Sequence, residues 1–448
     1  MAFIFNESKA QLCFTPCDSF AVNRNPVSIT SADFNGDGFK DIAAANNNSS
    51  SVSVLLGDGS GNFSTAISYS LGFSPNSIIS ADFNGDSKTD LLVGRGLAGS
   101  TIAILFGTGT GSFATPIVIN TVSVSSPISL VSADFNGDGK ADIAVGNGNY
   151  VSVSLGTGSG NFNLATTYTV GSYPNYIIAA DFNGDSKIDL ATANRLSNNV
   201  SVLLGTGTGN FGATSNFPAG NYPQSVNTGD FNGDGKIDLV TANYLSSKIF
   251  VLLGNGMGSF TTCDSFAVGF HPIIAVSSDF NGDGKADLAV GGTSPFNISI
   301  LLGIGACSFD TMVNFVVGSN SYSIICSDFN GDGKIDIATA NYGSNNVGVI
   351  LNCLPTCVDC GGIEQVVNNN QIVICPNPAS KKIQVTFSID KCEKIMAYIY
   401  DINGRLILNQ TINKKDTTID ISSLNTGIYN INFITNKGAI NKRVVILK

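Results

Sequence analysis

Asp33-Phe34-Asn35-Gly36-Asp37-Gly38, completed by Phe39-Lys40-Asp41, recurs along the whole first three-quarters of the chain. Its near-copies begin at Asp82, Asp134, Asp181, Asp230, Asp279 and Asp328, at successive separations of 49, 52, 47, 49, 49 and 49 residues. Self-similarity at such a period marks a repeat architecture. In each copy side-chain oxygens fall at positions 1, 3, 5 and 9, and the position-7 residue offers its carbonyl. The seven sets are Asp33, Asn35, Asp37, Phe39 and Asp41; Asp82, Asn84, Asp86, Lys88 and Asp90; Asp134, Asn136, Asp138, Lys140 and Asp142; Asp181, Asn183, Asp185, Lys187 and Asp189; Asp230, Asn232, Asp234, Lys236 and Asp238; Asp279, Asn281, Asp283, Lys285 and Asp287; and Asp328, Asn330, Asp332, Lys334 and Asp336. Hard cations such as Ca²⁺ take roughly six to eight oxygens from a short, sharply turning loop. Glycine at position 6 supplies the turn, since it reaches positive φ without steric cost. Up to seven structural Ca²⁺ ions are expected. The bland alternative is a metal-free, hydrogen-bonded Asx turn.

The charge pattern agrees. The 448 residues carry a formal charge of −10. Residues 375–448 hold 11 Lys/Arg against 5 Asp/Glu, so residues 1–374 hold 12 against 28, and 21 of those 28 acids lie in the seven loops. The acidity reads as a metal requirement. The large region has no basic patch for nucleic acid. No run approaches the ~20 apolar residues of a membrane helix, and Met1-Ala-Phe-Ile-Phe-Asn-Glu7 is too short an apolar run for a signal peptide. Ten cysteines without repeated zinc spacing suit an oxidising compartment.

One unit runs from Pro174 to Tyr222. Short strands are expected at Tyr176–Ala180, Leu190–Ala193, Val200–Leu204 and near Ser215–Ala219, with the acidic loop after the first and Gly205-Thr-Gly-Thr-Gly-Asn-Phe211 after the third. Four short strands per repeat make one blade of a β-propeller, and seven loops make seven blades. Phe14-Thr-Pro-Cys-Asp-Ser-Phe-Ala-Val22 closely repeats Phe260-Thr-Thr-Cys-Asp-Ser-Phe-Ala-Val268, a fourth strand, whereas the array ends on a third strand at Val347–Leu351. The N-terminal strand should therefore complete the last blade and leave no open edge. On that alignment Cys13 and Cys353 share a hairpin and can form a disulfide. The expected organisation is all-β: a seven-bladed propeller over residues 1–352, a cysteine-containing linker over 353–374, and a small β-sandwich over 375–448.

The seven loops and the glycine-rich turns resemble the FG-GAP/VCBS repeats of integrin α-subunit propellers and many secreted bacterial proteins, over about residues 10–352. The resemblance implies Ca²⁺ between the first and second strands of each blade. Ser87 and Ser186 replace the position-6 glycine, which makes loops two and four the weaker sites; Cys307 replaces the third glycine of its turn. Residues 375–448 look like the C-terminal sorting domain of the Bacteroidetes type IX secretion system, on Pro376-Asn-Pro-Ala379, Ile399-Tyr-Asp-Ile-Asn-Gly-Arg405, Ile419-Asp-Ile-Ser-Ser-Leu-Asn-Thr-Gly-Ile-Tyr429 and the basic ending. That resemblance implies recognition by the type IX machinery and a location outside the outer membrane, secreted or on the cell surface.

Candidate chemistry is sparse. Gly205-Thr-Gly-Thr-Gly lacks the lysine and helix of a phosphate loop, so it reads as a hairpin turn. Cys353-x₃-Cys357-x₂-Cys360 lacks a fourth zinc ligand nearby short of Cys375, so it reads as disulfide-forming. No Ser/His/Asp set can be assembled around the one histidine, His271, so a binding module is favoured over an enzyme. In a propeller the inter-blade loops and the second-to-third strand loops share the face opposite the acidic loops. That face collects Arg95, Tyr150, Tyr173, Arg195, Tyr222, Tyr244, Phe270, His271 and Tyr342. Aromatic rings with arginine suit a glycan or an extracellular protein partner. The alternatives are a lyase-like polysaccharide-degrading enzyme, which needs a pocket joining Tyr or His to Arg or Lys, and a passive spacer with no site.

Overall fold

A computed structural model describes residues 12–95, 101–120, 129–293, 297–310 and 312–353, and, towards the C-terminus, 372–375, 379, 381–387, 395–401, 405–412, 416–435 and 438–446. The linker cysteines Cys357 and Cys360 lie outside the described residues. The chain divides into two compact units, one spanning Gln11–Leu354 and the other taking in Pro355–Lys448.

The first unit is seven four-stranded antiparallel sheets, six of them with strands in sequence order from the axis outward. Blade one is Pro26–Ala32, Asp41–Asn46, Ser51–Leu55 and Ile67–Ser70. Blades two to six follow over residues 75–120, 129–169, 174–218, 223–267 and 272–316. Blade seven takes Ser321–Ser327, Asp336–Asn341 and Asn346–Ile350 from the end of the array and Asp18–Ala21 from its beginning. Asp18 pairs with Val349 and Ala21 with Asn346. The Cys13–Cys353 disulfide, with Cα atoms 5.1 Å apart, seals the seam. The ring closes as the repeated Phe-Thr-x-Cys-Asp-Ser-Phe-Ala-Val segment requires.

Why the ring holds follows from the second and third strands. Alternate residues of a strand face opposite sides of the sheet. Ile42 and Ala44 therefore pack on Ala338, Ala340, Val347 and Val349 of blade seven, while Ala43 and Ala45 pack with Leu91 and Val93 of blade two. All four are fully buried. Such strands read as unbroken apolar runs because both faces are covered. The same arrangement gives one core cluster between each pair of neighbouring blades.

Two devices lock neighbouring blades in phase. The phenylalanine at loop position 2 is buried in every copy and meets the turn phenylalanine of the next blade: Phe34 with Phe113 at 5.4 Å and Phe135 with Phe211 at 5.5 Å between centroids, both edge-to-face. At the seam Phe14 fills that position against Phe280. The third turn glycine, at positive φ, donates its N–H to the carbonyl of that loop phenylalanine, as Gly209 does to Phe135 at 3.0 Å. A Cβ at Gly209 would lie 2.6 Å from Leu155 of the preceding blade. Gly209→Ala is therefore expected to destabilise by about 2–4 kcal/mol, from left-handed backbone strain and overpacking together. Chemical denaturation measures this, and an unchanged midpoint would refute it. In blade six, Cys307 occupies the glycine position and is bonded to Cys263 of blade five, a staple the sequence reading did not pair. Among the described residues Cys17 and Cys326 remain thiols.

The C-terminal unit is a β-sandwich. One sheet orders Ile372–Cys375, Lys382–Phe387 and Asp416–Asp420; the other orders Leu406–Ile412, Ile395–Tyr400, Gly427–Thr435 and Gly438–Ile446. Alternating residues such as Ile383 and Val385, Ile419 and Ile421, and Tyr429, Ile431 and Phe433 share its buried core.

Candidate functional site

The two ends of the propeller differ in chemistry. At the end of each first strand the acidic loop curls on its own backbone. Asp33 accepts the N–H of Gly36 through Oδ1 at 2.6 Å and that of Gly38 through Oδ2 at 2.8 Å. Asn35 Oδ1 accepts from Asp37, and Asp37 Oδ1 from Phe39. Ser87 and Ser186 hold the same position-6 place at φ 63°, a left-handed conformation that strains a non-glycine residue.

The position-9 aspartate does something the spacing did not disclose. Asp41 is fully buried; its Oδ2 accepts from Phe34 N at 2.8 Å and its Oδ1 from Gly57 N at 2.8 Å. It thus ties the acidic loop to the glycine turn of its own blade. All seven copies repeat this, with Asn352 N replacing the turn glycine on Asp336 at 2.7 Å. Burial, helped by the neighbouring Asp37 and Asp33 charges, pushes the Asp41 carboxyl up to about 6 against those two bonds. Burial likewise pushes Asp287 up to about 7.

At position 5 the acid is paired with the position-7 lysine in six loops, from 3.0 Å at Lys334–Asp332 to 3.5 Å at Lys285–Asp283. Among the described residues no group of three or more His, Cys, Asp or Glu side chains is drawn together to hold a metal. The donor set nonetheless fits a hard cation. It is oxygen only, and the position-5 carboxylates, whose Oδ1 accepts one backbone N–H in each loop, keep further lone pairs.

The opposite end carries the candidate site. The residue just before each first strand adopts a left-handed conformation in five blades: Asn25, Tyr173, Tyr222, His271 and Asn320. Asparagine tolerates that region, whereas a bulky residue there, before proline, is an outlier. Its carbonyl accepts the N–H of the first residue after the second strand, so Tyr173 is joined to Arg195 at 2.9 Å and Tyr222 to Tyr244 at 3.1 Å. These junctions assemble a ladder across blades four to six. The Arg195 guanidinium lies 5.2 Å from the Tyr173 ring centroid and 4.3 Å from that of Tyr222, and its Nη2 donates to Tyr222 Oη. Tyr222 leans on Tyr244 at 6.0 Å, Tyr244 stacks on His271 at 4.3 Å, and Phe270 meets His271 edge-on. Phe270, Leu196 and Leu245 beside it are 68%, 57% and 55% exposed.

The ladder stands at the mouth of the axial channel, a cavity of about 880 Å³ lined by the first strands and by Arg195, Tyr222 and Tyr244. In six blades a β-bulge falls on the second residue of the first strand. The bulged residues Val27, Asn76, Asn175, Gln224, Ile273 and Tyr322 all line the channel. Bulges re-aim side chains in this way beside functional sites. Tyr322 stacks on Tyr342 at 4.7 Å; burial, then the nearby Tyr342 and Tyr244 hydroxyls, push its own hydroxyl pKa up. Of the expected ligand-face residues, six join the ladder and Tyr342 joins Tyr322. Arg95 and Tyr150 sit at strand ends opposite Pro75 and Thr169 and make no ring contact with the ladder among the described residues. The bulge collar was missed. Its faint signal is the polar or aromatic residue after the strand-opening proline in Pro75-Asn76, Pro174-Asn175 and Pro223-Gln224.

Comparison with known proteins agrees with this architecture. The FG-GAP-like repeat model matches residues 33–93, 82–145, 134–192, 181–241, 230–290 and 279–339. The secretion system C-terminal sorting domain model matches residues 373–447. No curated protein matches the chain significantly. Among solved structures, the BBS1N chain of a complex with ARL6DN has a TM-score of 0.56 at 11% identity, covering 79% of this chain and 99% of that one. A Lactobacillus plantarum protein has a TM-score of 0.52 at 12% identity, covering 68% and 88%. Both likenesses concern the fold alone. No helix among the described residues is long and apolar enough to cross a membrane. With overlapping repeat matches through the propeller and a sorting domain behind it, the chain belongs to the FG-GAP-like repeat family and is exported by a type IX system to the cell surface or beyond.

Proposed function

We propose that this propeller is a glycan-binding module, stabilised by Ca²⁺ in its acidic loops, that takes its ligand at the channel mouth opposite those loops. The ladder of Tyr173, Arg195, Tyr222, Tyr244 and His271 carries the reading. Three of its members hold left-handed backbone ahead of proline, a strain that persists where surrounding structure serves function. Partly exposed aromatic rings beside a cavity of ligand size suit sugar rings, which present apolar C–H faces edged by hydroxyls. A passive spacer has no use for such a mouth. Calcium would be held by the position-1, -3 and -5 side chains and would supply only charge and geometry. The position-9 aspartate would transmit the loop's order to the glycine turn.

A glycan array checks this reading, with Tyr173→Ala and Tyr222→Ala as controls. Binding should fall roughly tenfold or more in each, the scale of losing a stacked aromatic contact. Binding that persists in both variants removes the ladder as the site, and capture of a protein but no glycan replaces the ligand class. One observation favours a second reading. Arg195, Tyr222 and Tyr244 meet in one cavity with His271 stacked behind, the grouping a polysaccharide lyase needs. An unsaturated product on prolonged incubation with a bound glycan would establish it; an intact glycan leaves the binding module.

A further inference from the structure

We infer that Arg195 is a carboxylate-reading residue and that the ligand is an acidic, uronic-acid-type glycan. The inference rests on the glycan-binding reading above and names the ligand's chemical class. The distribution of charge comes first. Residues 1–374 carry 28 acids, yet neither the inter-blade loops nor the second-to-third strand loops contain a single Asp or Glu. The seven first strands contain no charged residue at all. Among the described residues of a strongly acidic propeller, the loops of one end and the channel lining hold no carboxylate. Arg195 is the one charged residue among those that line the channel.

Its environment is that of a cation kept for an outside partner. No carboxylate pairs with Arg195 among the described residues; the ion pairs found there are the lysine–aspartate pairs of the acidic loops. Its guanidinium has five N–H donors, and its one side-chain hydrogen bond among the described residues goes to Tyr222 Oη. Its Nε is buried without a partner. A buried, unsatisfied donor is unfavourable, and in a folded protein it calls for an explanation beyond stability. The Tyr173 and Tyr222 rings pack against the guanidinium, its carbon 5.2 and 4.3 Å from their centroids, and fix its position. A planar guanidinium edge matches a carboxylate in two parallel hydrogen bonds. The low-charge channel wall removes competing acids and strengthens the pairing. The Tyr244–His271 and Tyr322–Tyr342 stacks lie further round the same end, in the blades that follow Arg195, and offer aromatic contacts for neighbouring sugars.

The test is titration calorimetry on the full chain in Ca²⁺ buffer with three probes: an oligogalacturonide, the same oligomer with its carboxyls reduced to hydroxymethyl groups, and a sulfated galactan oligomer. The oligogalacturonide should bind roughly tenfold or more tightly than its reduced form, and the preference should shrink as salt rises. Arg195→Gln should erase the preference, and Arg195→Lys should restore part of it. Both variants should keep the parent melting temperature within a few degrees, because Arg195 is partly exposed and its removal leaves no carboxylate unpaired among the described residues. If the reduced oligomer binds as tightly and Tyr222→Ala still abolishes binding, glycan recognition stands and the carboxylate inference falls. A preference that survives Arg195→Gln also overturns it, as does tighter binding of the sulfated oligomer. Failure of every probe to bind overturns both readings.

Discussion

Chelation with EDTA should lower the melting temperature by on the order of ten degrees, the largest effect we expect of any single treatment. If the loops bind with the ~10⁻⁴–10⁻³ M dissociation constants of extracellular calcium modules, each ion adds about 0.5–1.5 kcal/mol at millimolar Ca²⁺. The seven loops sit in series around one closed ring, so their contributions fall on a single cooperative structure. Without the cation, each loop keeps its Asx turns but is left with three carboxylates on nine residues. One of these, Asp41 in the first copy, is already pushed up by its burial and, less, by the Asp37 and Asp33 charges. A bound calcium ion would relieve that crowding and let the loop hold the turn beside it. Refilling by titration should leave the second and fourth loops for last, because Ser87 and Ser186 hold the strained turn there. A melt that is the same in EDTA and in Ca²⁺ would sink the structural role of the metal.

Removing the seam disulfide is the second large effect. Cys13→Ser together with Cys353→Ser should cost about 2–5 kcal/mol, within the range for a native bridge that closes a long loop. The two cysteines are 340 residues apart, so the bond restricts nearly the whole propeller chain in its unfolded state. It also guards the one place where blade pairing is not continuous in sequence. In its absence the seam rests on the four-residue pairing of Asp18–Ala21 with residues 346–349, the Phe14–Asn352 bridge and the Phe14 ring against Phe280. Those contacts should still close the ring, but amide exchange at residues 18–21 should become the fastest among the strands. The denaturant midpoint of the double variant reads the loss directly. An unchanged midpoint would mean that the strand alone seals the propeller.

Much of the fold was legible because it is written in local chemistry repeated seven times. Glycine at fixed loop and turn positions, short apolar runs between them and a period near fifty residues each specify a turn or a strand without knowledge of neighbours. The blade phase follows from where the acidic loop falls, and the closing strand follows from Phe14–Val22 repeating Phe260–Val268. The roles of individual motif residues were less legible. The loop phenylalanine had no role in the sequence reading, yet Phe34 and its six copies are buried inter-blade anchors. The position-9 aspartate looked like a fourth ligand, yet Asp41 spends both oxygens on backbone N–H groups of two different turns. Spacing along a chain cannot separate an oxygen that faces a cation from one that faces an amide.

The sequence by itself determined the number of blades, their phase, the strand that completes the ring, and which end is acidic, because each depends on contacts within one repeat or on identity between repeats. Only the tertiary structure decided that Tyr173, Arg195, Tyr222, Tyr244 and His271 form one ladder at the mouth of one channel. Its rungs alternate within and between blades, across chain separations of more than twenty residues. The bulges and left-handed junctions form within one blade, but the Arg195–Tyr222 and Tyr244–His271 contacts exist only because ring closure sets neighbouring blades side by side.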